Sequence, residues 1–235
     1  MIIGEKFIFI HIPKTGGKSF NQFCETLSEE QQEKFKIQDI HKCSEMHTIR
    51  HELGERYNKE EIKNKKILTI LRSPLTWYIS FYKHNIWNCK RKIDDSLSWT
   101  NICRNNTFNE VFDEYFIQEG YVGFYTRQLL IYLSKYREER SLLHKIKLDN
   151  ILQIYDDRVG LEIDSFLRLE NIEKDLEREF NVEVDNYPLI NTSPAEEISP
   201  LRGLGPYEEI HLSENQIKKI YKCDRLVFDL IENRD

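Results

Sequence analysis

The residues best equipped for chemistry stand close together near the start of the chain, in Pro13-Lys14-Thr15-Gly16-Gly17-Lys18-Ser19-Phe20. Two ammonium groups, two hydroxyls and two glycines follow one another from Lys14 to Ser19. Glycine lets a backbone approach a ligand closely, and successive N–H groups at the start of a helix attract negative charge. The set is an anion cradle, and a phosphate suits it. A second group with the same appetite is Arg72-Ser73-Pro74, with Ser80 further on. A guanidinium fork takes phosphate oxygens in pairs, and a serine two helical turns along faces the same way.

Both groups need elements to hold them. Phe7-Ile8-Phe9-Ile10 is rich in aromatic and β-branched residues and reads as a buried strand beginning near residue 6. Phe20, Phe23, Cys24 and Leu27 follow at helical spacing. Residues 36–40 read as a short strand leading to His41, and a helix is expected from Ser44. Residues 66–71 form the next clear strand, closed by Arg72. Pro74 suits the first turn of a helix that carries Trp77, Tyr78, Phe81 and Tyr82. Capping boxes at Thr107/Glu110 and Ser213/Gln216 open two later helices, the second expected to run unbroken through Ile217, Ile220, Tyr221, Phe228 and Ile231. Residues 125–136 read as a further helix, 164–170 as a strand, 171–180 as a charged helix and 185–206 as a Pro- and Gly-rich loop. Strands alternating with helices predict an α/β domain with a mostly parallel sheet, whose ligands sit beyond the strands' carboxyl ends. Both anion-seeking groups fall at such ends, so they are expected to share one face.

Composition narrows the function. The net charge of −6 gives no basic field that would suit nucleic acid. The five cysteines show no C-x-x-C spacing, so neither a zinc site nor a disulfide framework is expected. The first residues lack a basic stretch followed by a long apolar run, which predicts a cytoplasmic protein with no membrane segment, or one cut free of its anchor. The length of 235 residues fits one domain.

Gly17-Lys18-Ser19 invites comparison with the nucleotide-binding pattern Gly-x-x-x-x-Gly-Lys-Ser/Thr, but the first glycine of that pattern falls on Ile12. The strand ending in Arg72 also lacks a closing Asp. Ile12-Pro13-Lys14-Thr15-Gly16-Gly17-Lys18-Ser19-Phe20 instead resembles the 5′-phosphosulfate loop of sulfotransferases, whose carbohydrate (heparan sulfate 2-O-like) branch commonly shows Pro-Lys-Thr-Gly-Gly-Thr-Ser. Lys18 stands where that pattern has Thr. Leu71-Arg72-Ser73-Pro74 and the helix bearing Tyr78, Ser80 and Tyr82 resemble the family's second signature, with Trp77 in place of a frequent Arg. Phe166 to Ile172 with Asp175-Leu176 resembles its third strand and the helix after it, and Asn191 to Pro194 and the helix with Asp224 and Phe228 resemble its carboxyl-terminal part.

The resemblance implies a P-loop-like three-layer α/β fold over a single domain, residues 1–235, in which residues 83–150 form a mainly helical acceptor-side region. It implies transfer of a sulfuryl group from 3′-phosphoadenosine 5′-phosphosulfate (PAPS) to a hydroxyl acceptor, expected to be a carbohydrate, with no metal. Lys14 is expected at the donor's bridging oxygen. Thr15, Gly16, Gly17, Lys18, Ser19 and Phe20 are expected around the 5′-phosphate, and Arg72 and Ser80 at the 3′-phosphate, with Arg202 closing over it. The acceptor hydroxyl needs a base. His41 at a strand end is the first choice, His47 the second and His11 the third, with Glu45 also open. Two other readings stand beside this one: an ATP-dependent kinase, and a nucleotide-binding module without catalysis.

Overall fold

The computed structural model describes residues 2–4, 7–30, 37–40, 64–87, 99–133, 146–151, 163–181, 183–184, 187–188 and 209–232. Its centre is a sheet of β1 (Ile2–Gly4), β2 (Phe7–Ile10), β3 (Ile37–Ile40), β4 (Lys66–Leu71) and β5 (Ser165–Arg168), in the order β3-β1-β2-β4-β5. β2 pairs parallel with β4, and β4 with β5. β1 is antiparallel to both β2 and β3, so β3 runs with the other three. The chain therefore enters the sheet earlier than its periodicity predicts. β1 begins at Ile2, and its few residues are too short a run to show an alternation of their own.

Strands covered on both faces should be apolar throughout rather than alternating. β2 and residues 67–71 of β4 are buried at every position. The flanking helices are α1 (Gly17–Thr26), α2 (Pro74–Trp87), α3 (Trp99–Asn105), α4 (Phe108–Val111), α5 (Phe124–Leu133), α6 (Ile172–Phe180), α7 (Glu214–Cys223) and α8 (Arg225–Glu232). Alternate side chains go to opposite layers. Phe7, Phe9, Leu68, Ile70 and Leu167 meet Phe20 and Phe23 of α1 and Leu176 of α6. Ile10, Ile67, Leu71 and Phe166 belong to the core of α2, α5, α7 and α8. The result is an α/β sandwich of three layers, with β2, β4 and β5 delivering their carboxyl ends to one edge.

The two capping boxes form as their residue types require: Thr107 with Glu110, and Ser213 with Gln216. After α4 the backbone passes into a π-helical turn, Phe112–Phe116. The last helix is not continuous. It breaks into α7 and α8 at Asp224, which is fully buried and accepts hydrogen bonds from Tyr78 Oη (2.6 Å), Thr126 N (2.9 Å) and Thr126 Oγ1 (2.7 Å). A helical periodicity cannot show a carboxylate drawn inward by residues a hundred positions away. Another buried carboxylate, Asp175, ties α6 to the end of β5 through a two-pronged contact with the Arg168 guanidinium (3.1 and 2.8 Å) and the Arg168 N–H. Cys24, Cys103 and Cys223 are buried in the core.

Candidate anion-binding site

The loop between β2 and α1 owes its shape to residues on either side of its cations. Thr15 is fully buried and turns its hydroxyl inward, donating to the Ile12 carbonyl at 2.8 Å. Gly16 caps α1 in the left-handed region (φ 93°), and a Cβ there would lie 2.5 Å from Leu169 Cδ1 at the end of β5. Gly17 opens the helix against the His11 ring, where a Cβ would meet Cδ2 at 2.0 Å. No side chain caps the first turn of α1. Its positive end thus faces the loop with glycines at the closest approach.

Lys14 is held at φ 67°, a left-handed conformation that disfavours side chains with a Cβ. Burial, then the charges of Arg72 and Lys18, lower its ammonium from 10.5 to about 8. Two other cations, Lys18 on its own loop and Arg72 on the neighbouring one, therefore act on the Lys14 ammonium across the edge of the sheet. Lys18 is exposed, while Ser19 and Phe20 are buried, Phe20 stacking on Phe9 in the core with ring centroids 4.1 Å apart.

The second loop is fixed by residues the sequence did not single out. Arg72 N–H donates to Tyr125 Oη at 3.1 Å, and its Nε donates to Thr76 Oγ1 at 2.9 Å. Glu170, just past β5, accepts from Ser73 N–H at 2.9 Å and from the Thr76 hydroxyl at 3.3 Å. Burial lowers the Arg72 guanidinium, and the Glu170 carboxylate opposes that. Ser80 is half-buried on α2, one turn beyond Thr76. Trp77, which stands where the resembled signature often has Arg, is fully buried and donates Nε1–H to the Pro13 carbonyl at 2.9 Å.

Two imidazoles stand near these cations. His11 is lowered from 6.5 to about 4 by burial, with Lys18 and Lys14 adding to it. His84 of α2, one turn beyond Ser80, is lowered to about 4 by burial, then by Lys14 and Lys18. Both are neutral at pH 7. Nothing in the local sequence marks His84, because its membership of the site comes from the packing of α2 along the first loop. His41, His47, Glu45 and Arg202 lie outside the described residues, as does the helix expected from Ser44. Among the described residues no group of three or more His, Cys, Asp or Glu side chains could hold a metal ion, and no helix is long and apolar enough to cross a membrane.

A family model described as the sulfotransferase family matches residues 4–184. The match spans both loops and β5 and stops before α7 and α8. No curated protein matches the chain.

Proposed function

Because the chain belongs to the sulfotransferase family, we propose that it transfers a sulfuryl group from 3′-phosphoadenosine 5′-phosphosulfate to a hydroxyl of a carbohydrate acceptor. The observation that carries the donor assignment is the electrostatic setting of Lys14. The charges that act on it are both cations, Arg72 and Lys18, and they come from the two loops at adjacent strand ends. A donor phosphorylated at both the 3′ and 5′ positions answers both loops at once.

In this reading the acceptor oxygen attacks sulfur while the bond from sulfur to the bridging oxygen of the donor breaks. The products are a sulfate ester, adenosine 3′,5′-bisphosphate and a proton taken up by a base. Lys14 meets the bridging oxygen, where negative charge grows as the group departs. The start of α1, with Gly16, Gly17, Lys18 and Ser19, holds the 5′-phosphate through backbone N–H groups and side-chain donors. Thr15 shapes the loop from beneath, and Phe20 anchors α1 to the core. Arg72 and Ser80 take the 3′-phosphate, and Arg202 closes over it. Residues 83–150 line the acceptor side of a single domain spanning 1–235, and the protein works in the cytoplasm without a metal.

His41 is the proposed base, with His47 next. A second reading places that role on His84, favoured by its neutral ring close to Lys14. A base must be unprotonated to accept the acceptor's proton, and burial beside two lysines keeps this imidazole so at pH 7.

The experiment is transfer of labelled sulfate from the donor to a panel of glycans and simpler hydroxyl compounds. Transfer to a glycan, lost in Lys14→Ala, is the expected result. Full activity in Lys14→Ala would remove the loop assignment. Binding of the bisphosphate without turnover on any acceptor would leave a binding module.

A further inference from the structure

The two loops are joined by an aromatic pair that makes no contact with bulk solvent. Trp77 and Tyr125 are both fully buried and lie face to face, with ring centroids 4.4 Å apart and planes 5° from parallel. Each ring has its polar end on a different loop. The Trp77 indole donates to the Pro13 carbonyl, one residue before Lys14, and the Tyr125 phenol accepts the Arg72 N–H. Tyr125 is itself held from behind. Its N–H donates to Tyr78 Oη at 3.2 Å, and that hydroxyl donates to the buried Asp224.

We propose that the Trp77–Tyr125 stack is a spacer that sets the separation of the Lys14 and Arg72 loops, and so makes the site selective for nucleotides phosphorylated at both 3′ and 5′ over those phosphorylated once. The proposal rests on the donor reading given above. Two rings in contact cannot be compressed, and each hydrogen bond fixes the backbone beside a cation rather than the mobile end of its side chain. A ligand that spans both loops gains when their separation is set in advance, because it loses no free energy in ordering them. A ligand that touches one loop gains nothing from the position of the other. Trp77 and Tyr125 are positioning residues in this account. They act on the donor through the backbones of Pro13 and Arg72.

The test is calorimetric titration of the whole protein with adenosine 3′,5′-bisphosphate and, separately, adenosine 5′-phosphate, for wild type, Trp77→Phe and Tyr125→Phe. Tyr125→Phe keeps the stack and removes one oxygen, so it remains informative if the Trp77 variant folds poorly. Each substitution is expected to weaken the bisphosphate about tenfold, the scale of one hydrogen bond. The monophosphate should change less than about twofold, since no ordering of a second loop is involved. A parallel loss for both ligands, or a lowered melting temperature with the ratio of affinities unchanged, gives the pair a merely structural role and overturns the spacer. Failure of the wild type to bind the bisphosphate would instead overturn the donor reading, and the spacer with it.

Discussion

Tyr78 Oη donates to Asp224 Oδ2 at 2.6 Å, and this bond brings a helix pair that lies beyond the matched family segment into the core behind the site. Tyr78 is on α2, two turns or less from both Arg72 and Ser80, so the carboxylate supports the helix that carries the second loop. Three protein donors converge on one buried carboxylate, two of them from Thr126. Removing it leaves those donors without an acceptor. Asp224→Ala is expected to destabilise the protein by about 3 kcal/mol, since each unsatisfied buried group costs about 1–3 kcal/mol. The urea midpoint at neutral pH measures this, and a change near zero would mean that water replaces the carboxylate.

The same group gives stability a direction with pH. Burial raises the Asp224 carboxyl above its ordinary 3.8, despite the Tyr78 and Thr126 hydrogen bonds that lower it. The native state therefore holds this proton where the unfolded chain has released it. From 3.8 up to the native value, Asp224 makes stability fall as pH rises. Asp224→Asn abolishes that contribution, and unfolding curves across acidic pH for the two proteins should differ in slope.

Lys14 combines a chemical task with an awkward backbone. Replacing it with glycine relieves the left-handed conformation at φ 67° and is expected to raise stability by about 1 kcal/mol. Sulfuryl transfer should fall by roughly a hundredfold to a thousandfold, the usual loss when one stabilising group is removed from a developing anion. A variant both less stable and fully active would contradict both halves of the argument.

The lowered ammonium adds a pH prediction of opposite sign. The free protein loses the Lys14 cation above about pH 8, so kcat/KM for the donor should decline there. The unfolded chain keeps that proton up to 10.5. Between about 8 and 10.5 it binds more protons than the native state, and stability gains from rising pH through that window. In Lys14→Gly that gain disappears, which denaturation at two alkaline pH values will show.

Gly17 and His11 form a pair whose coupling can be measured. A Cβ on Gly17 falls 2.0 Å from the imidazole, so Gly17→Ala must displace either the ring or the first turn of α1. It should weaken bisphosphate binding and stability together. His11→Ala opens the space, and the double variant is expected to recover part of both losses, giving a favourable interaction energy in a double-mutant cycle. Losses that simply add would show that the ring is not what excludes the methyl group.

How far the sequence revealed this arrangement depended on how local each feature was. The strands of residues 7–10 and 66–71, the glycines before α1, Arg72 at a strand end and both capping boxes are set by near neighbours, and they stand in the structure where spacing placed them. The resemblance to sulfotransferases rested on these local stretches, and the family match confirms that membership. β1 was missed because it is too short to carry a pattern. Trp77 was read as the absence of an arginine, whereas its indole holds the first loop by the Pro13 carbonyl. Tyr125, Glu170 and His84 reach the site, and Asp224 the core behind it, through pairings of distant segments, and no periodicity within one segment reports such contacts. The break at Asp224 has the same origin, since the pull on that carboxylate comes from α2 and α5.

Thermal unfolding with adenosine 3′,5′-bisphosphate, set against ATP with magnesium, bears most directly on the claim that the two loops hold a doubly phosphorylated donor. At a hundred times its dissociation constant the bisphosphate should stabilise wild type by about 2.7 kcal/mol. Arg72→Ala should lose most of that shift, and ATP with magnesium should add little. A large stabilisation by ATP with magnesium, with none from the bisphosphate, would contradict the account.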